Sequence, residues 1–101
     1  MVIFERHERF NQWMRDLRDV NVRALVIKRI RSAELGNWGD CKPIDQGISE
    51  MQIHYGAGYR VYFTRRNQTI YLLLGGGSKS TQSRDIEKAF ELAETIRKSS
   101  L

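Results

Sequence analysis

The residues best suited to chemistry lie between positions 50 and 79: Glu50, Gln52, His54, Arg60, Tyr62 and Lys79. Strand alternation puts Glu50, Gln52 and His54 on one face of a segment near 48–55. It puts Arg60, Tyr62 and Thr64 on the matching face of a segment near 59–65. Lys79 arrives after three glycines. The result is a cationic, partly aromatic surface suited to a phosphodiester. RNA cleaves itself when its 2′-hydroxyl attacks the adjacent phosphate. A protein speeds this without metal by removing the hydroxyl proton, neutralising the phosphorane-like charge and protonating the leaving oxygen. Arg60 and Lys79 suit the charge role, and Glu50 or His54 suits the proton acceptor. The plain alternative is a set of solvated residues on an open sheet face. On that view Arg60→Ala is a surface change costing within about 1 kcal/mol.

Other chemistries have less support. GGGSKST lacks the phosphate-loop spacing, because Ser78 precedes Lys79 and Leu73 occupies the earlier glycine position. His7 and His54 have no partner set for a metal, and no Ser-His-Asp spacing argues for acyl transfer. The lone Cys41 excludes an internal disulfide and lacks the companions of a zinc site. It reads as a structurally neutral residue beside a turn. No metal or cofactor is expected.

The charge distribution points the same way. Residues 51–84 hold five basic side chains (Arg60, Arg65, Arg66, Lys79, Arg84) and no acidic one. Residues 1–50 carry nine basic and eight acidic groups, whereas 51–101 carry eight and four, so most of the +5 net charge sits in the second half. Such a surface steers nucleic acid onto a protein. Arg65, Arg66 and Arg84 therefore join Arg60, Tyr62, His54 and Gln52 as candidate RNA contacts. The longest apolar runs, 24–27 and 70–74, fall far below a membrane span of about 20 residues. The start, MVIFERHERF, lacks the apolar core of a signal peptide. A cytoplasmic protein without a membrane partner is expected, as one domain over 1–101.

The elements that position these residues follow from periodicity. A brief strand at 2–4 is possible on pattern. Phe10, Trp13, Met14 and Leu17 then form one helical stripe, and Val22, Leu25, Val26, Ile30 and Ala33 form another. Asp19 or Asn21 suits the cap of the second helix and Gly36 its end, with Arg23, Lys28, Arg29 and Arg31 facing outward. Trp38 reads as a lid over the helix ends. A strand at 42–45 turns at Gln46-Gly47 into the segment carrying Glu50. A Gly56-Ala57-Gly58 loop pairs Tyr55 with Tyr59, which sets Ile53 beside Val61, Met51 beside Phe63, His54 opposite Arg60, Gln52 opposite Tyr62 and Glu50 opposite Thr64. Asn67 suits positive φ in the next turn. Residues 70–74 read as a central strand buried on both faces, and Gly75, Gly76 and Gly77 as a sharp bend. Ser80 or Thr81 caps a last helix whose core stripe is Ile86, Ala89, Phe90, Ala93 and Ile96. The fold class is α+β, with a small antiparallel sheet of about four strands, two N-terminal helices and one C-terminal helix.

The segments GISEMQIHYGAGYRVYFTRR and TIYLLLGGGSKSTQSRDIEKA, preceded by RIRSAELGNWGDCKPI, resemble the RelE/HigB superfamily of toxins. The likeness is strongest to the branch described as phage-derived addiction-module killer proteins. It covers nearly the whole chain from FNQWMRDL onward. It implies a RelE-like α+β domain acting as the toxin of a type II toxin–antitoxin pair: a metal-independent, ribosome-dependent mRNA endonuclease that inhibits translation. It also implies a cognate antitoxin, a small helix-turn-helix protein, with mRNA and the ribosome as further partners. By the same resemblance, Arg60 and Lys79 match basic positions that contact the phosphate and transition state. Glu50 matches a position held by a basic residue or a catalytic glutamate, and Gln52 stands where branch members usually carry arginine. Asp85 or Gln82 lies near the relatives' C-terminal catalytic position. A non-catalytic RNA- or ribosome-binding module on this scaffold is the alternative reading.

Overall fold

A computed structural model describes residues 1–99. The order is β1 (Ile3–Arg6), α1 (Glu8–Asp16), α2 (Val20–Glu34), β2 (Cys41–Asp45), β3 (Ile48–Ile53), β4 (Tyr59–Arg65), β5 (Ile70–Ser78), a single 3-10 turn (Lys79–Thr81) and α3 (Gln82–Ser99). The class is α+β, as expected, but the sheet has five strands rather than about four, ordered β1-β5-β4-β3-β2. The additional strand is β1, which runs parallel to β5 from Ile3↔Ile70 to Arg6↔Leu73. The other pairings are antiparallel.

The helices divide between the two sheet faces. Phe10 and Met14 of α1 and Val22, Val26, Ile30 and Ala33 of α2 pack on Phe4, Met51, Ile53, Val61, Phe63 and Leu73. Ala89 and Ala93 of α3 pack on the opposite face, against Ile48, Tyr62, Leu72 and Leu74. The face expected to lie open is therefore covered. Single residues secure the helix ends: His7 accepts from the Arg9 amide to cap α1, Asp19 accepts from the Asn21 amide to cap α2, and α2 ends ahead of Gly36.

Several local expectations are corrected. The β3–β4 register is displaced by two residues, pairing Ile53 with Tyr59, Gln52 with Arg60, Met51 with Val61 and Glu50 with Tyr62. The cause is a longer loop, closed by the Gly58 amide on the Tyr55 carbonyl. A two-residue displacement keeps every side chain on its face, so hydrophobic alternation cannot detect it. Asn67 shapes its turn with its side chain, accepting from the amides of Thr69 and Ile70, and not with positive φ. Ser78 precedes a 3-10 turn before α3, in place of a Ser80 or Thr81 cap. Trp38 lies in an aromatic cluster with Phe4, Phe63 and Tyr71, packed against the core that α1 and α2 cover.

Gly75–Gly77 are not a bend, because β5 continues through them to Ser78. Phe63 pairs with Leu73 and Tyr62 with Gly75, so Leu74 is the extra residue of a β-bulge. The bulge turns Gly76 toward α1, where a Cβ would lie 2.6 Å from the Trp13 ring. It turns Gly77 toward α3, where a Cβ would overlap the Asp85 carboxylate. These glycines allow close packing of helices on both faces.

Candidate functional site

The α3-side face of the sheet has a charged row at its centre. Pairing aligns Lys42, Glu50, Tyr62 and Gly75 across β2, β3, β4 and β5, with Gln52, Arg60 and Gly77 in the next row. Glu50 is 1% exposed. Its Oε1 accepts from Gln52 Nε2 at 3.0 Å and lies 3.6 Å from Lys42 Nζ. Its Oε2 accepts from Gln82 Nε2 of α3 at 3.3 Å and lies 3.8 Å from Arg60 Nε. Glu50 thus holds four neighbours from three strands and one helix. A buried carboxylate requires such partners.

Arg60 is not the open surface residue expected of the sheet face. Its side chain is 13% exposed, and its Nε has no hydrogen-bond partner among the described residues. The Tyr62 hydroxyl is also buried without such a partner. Burial, reinforced by the Glu50 and Asp85 carboxylates, pushes the Tyr62 phenol far above its usual range, against the opposing pull of Arg60.

Beside this row is an open groove of about 430 Å³ around the β3–β4 loop, lined by Gln52, His54, Tyr55, Tyr59, Arg60 and Lys79. Lys79 is fixed by its amide, which donates to the Gly58 carbonyl at 3.0 Å. Four of the candidate residues, Gln52, His54, Arg60 and Lys79, therefore converge. Glu50 and Tyr62 lie buried beside them. Arg84 is exposed in the first turn of α3, near Lys79 across a shallow depression. Arg65 and Arg66 do not join them. They sit at the far end of β4, about 17 Å from Arg60 at strand rise, where Arg65 donates to the Asn67 carbonyl and Arg66 meets Glu5 at 3.5 Å.

Two neighbours of the groove were not picked out by sequence pattern. Asp40 Oδ2 lies 2.5 Å from His54 Nε2. Arg29, expected to face outward, is half-buried and donates to the carbonyls of Gln52, Trp38 and Asp40. The proximity of Asp40 rests on the pairing of Cys41 with Met51, on the Gln52 amide donating to the Asp40 carbonyl and on the path of residues 37–40, which periodicity does not encode. Cys41 is half-buried with its Sγ 3.1 Å from the Trp38 carbonyl; burial raises its thiol pKa, partly opposed by Arg29.

Among the described residues, no cluster of three or more His, Cys, Asp and Glu side chains could hold a metal, and no helix is long and apolar enough to cross a membrane. The fold and groove define a small α+β protein with a cationic cleft at one end of its sheet. No family model matches the chain. An uncharacterized protein of Haemophilus influenzae is 40% identical over 87 residues, which span 86% of this chain and 88% of that protein. The chain belongs to the same family as that protein.

Proposed function

We propose that the chain is the toxin of a type II toxin–antitoxin module of the RelE/HigB kind, acting in the cytoplasm as a ribosome-dependent mRNA endonuclease. The observation that carries this reading is the convergence of Arg60 and Lys79 with His54 on one groove. Two cations there suit a scissile phosphate and its developing charge. The resemblance in GAGYRVYF and GGGSKSTQSRDI supports the same reading. Attack by a 2′-hydroxyl needs a base, a charge partner and a proton for the leaving oxygen, which protein groups and water supply without a metal. Glu50 is assigned a positioning role, because its carboxylate is enclosed by Gln52, Gln82, Lys42 and Arg60. The partners are mRNA on the ribosome and an antitoxin that covers the Arg60–Lys79 groove or its rim.

The test is RNA cleavage by the purified chain with and without translating ribosomes, beside growth on induction with and without the neighbouring reading frame. The reading expects growth arrest relieved by co-expression and products ending in 2′,3′-cyclic phosphate. RNA binding without cleavage would favour the non-catalytic module. Normal growth with intact RNA would overturn the toxin reading.

A further inference from the structure

We propose that Asp40 and His54 form a proton-transfer dyad on the rim of this groove, and that Arg29 positions it. The proposal rests on the RNA-cleaving reading above and assigns the base that reading requires. Of the two candidate bases, Glu50 is buried with both oxygens engaged. His54 lines the groove with its side chain 70% exposed. Its Nε2 is taken by Asp40 at 2.5 Å, which leaves Nδ1 to exchange a proton with a substrate.

The pair is not a chance meeting of two surface side chains. The Gln52 amide donates to the Asp40 carbonyl at 2.8 Å, joining the loop before β2 to the end of β3. Arg29 then ties the carbonyls of Gln52, Trp38 and Asp40 to one guanidinium. Gly39, at φ +66°, lies so close that a Cβ would be 2.8 Å from Arg29 Nη2. Arg29 thus sets the backbone on both sides of the dyad, two residues before His54 and at Asp40 itself.

In the step, the Nδ1 lone pair takes the 2′-hydroxyl proton as the oxygen forms its bond to phosphorus. The bond from phosphorus to the 5′-oxygen breaks, and that oxygen takes a proton from water. The products are a 2′,3′-cyclic phosphate and a 5′-hydroxyl, and the imidazolium returns its proton to solvent. The Asp40 carboxylate stabilises the transient imidazolium. The other charged or titratable groups around His54 are Tyr55, Tyr59, Arg60 and Lys79 of the groove, with Arg29 behind Asp40.

The experiment compares wild type, His54→Gln, Asp40→Asn and Arg29→Lys in ribosome-dependent cleavage across pH 5 to 9. Melts accompany each rate, with binding to the same RNA carrying a 2′-deoxy sugar at the cut. Loss of a positioned base costs on the order of a hundredfold in rate. We expect that loss in His54→Gln, with the acid limb of the profile abolished and 2′-deoxy binding kept within about twofold. Asp40→Asn is expected to lose roughly tenfold and to displace the His54 ring signals in NMR, a readout of the lost contact that needs no RNA. Arg29→Lys should lower the rate and weaken the Asp40–His54 contact seen by NMR. Absence of wild-type cleavage would overturn the RNA-cleaving reading and the dyad with it. Wild-type cleavage matched in rate and profile by His54→Gln would overturn the dyad alone. Parallel loss of binding and cleavage would overturn the proton role in favour of a binding one.

Discussion

Arg60 Nε lies 3.8 Å from Glu50 Oε2, a carboxylate 1% exposed beneath α3. The pair links the floor of the sheet to the wall of the groove, so residues read for chemistry also carry stability. Removing one partner of a buried ion pair leaves the other uncompensated and costs about 3 kcal/mol. Glu50→Ala should reach that figure, and Arg60→Ala should exceed the 1 kcal/mol of a surface change, at about 2 kcal/mol. Urea unfolding of both single variants and the double variant gives the coupling. Additive losses would show that the two side chains act independently.

Tyr62 gives a prediction in pH. Its phenol is raised above the ordinary value near 10 by burial and by Glu50 and Asp85. The folded chain therefore keeps this proton at pH values where the unfolded chain has lost it. Stability from this group is complete below about pH 10 and falls as pH climbs from there toward the folded value. Tyr62→Phe removes that alkaline loss. The hydroxyl has no hydrogen-bond partner among the described residues, so the substitution should cost under about 0.5 kcal/mol at pH 7. Melts from pH 7 to 11 should show the two proteins diverging above pH 10 in favour of Tyr62→Phe. Curves that stay parallel would refute the buried phenol's role.

Much of the scaffold was legible because it depends on local pattern. The stripes of α1 and α2, the Asp19 cap and the buried centre of β5 all follow from residue spacing. The site was less legible because it depends on offsets that leave pattern unchanged. Moving β3 against β4 by two residues keeps each side chain on its face, yet it replaces His54 with Gln52 as the neighbour of Arg60. The bulge at Leu74 reassigns Gly76 and Gly77 to opposite helices, which converts an apparent bend into two close packing contacts. Polarity misled at Glu50, Arg60 and Tyr62. These residues look solvated in sequence but lie under α3, which approaches through small Ala89 and Ala93 and offers Gln82 to the carboxylate.

The Gly77–Asp85 contact can be tested by substitution. Asp85 is held by Thr81 Oγ1, which donates to its Oδ2 at 2.5 Å, and the carboxylate fills the space a Cβ at Gly77 would take. Gly77→Ala should cost about 2 kcal/mol as an overpacked contact. Adding Asp85→Ala should return most of that cost, since the clash is with its side chain. If the double variant is no more stable than Gly77→Ala, backbone strain and not the carboxylate sets the requirement for glycine.

Lys79 and Arg65 distinguish the groove from general basic charge. Both side chains are exposed, so replacing either with alanine should shift stability by under about 0.5 kcal/mol. Only Lys79 lines the groove with Arg60, whereas Arg65 lies at the far end of β4 beside Asn67. On the proposed function, Lys79→Ala should lower cleavage by roughly ten- to a hundredfold through a lost contact to developing charge. Arg65→Ala should lower it by less than about threefold. Salt titration of RNA binding adds a second measure, because each lost phosphate contact on a single strand reduces the slope of log affinity against log salt by about 0.7. Lys79→Ala should show that reduction and Arg65→Ala should not. If Arg65→Ala instead produces the larger loss in both measurements, the RNA phosphate does not sit between Arg60 and Lys79.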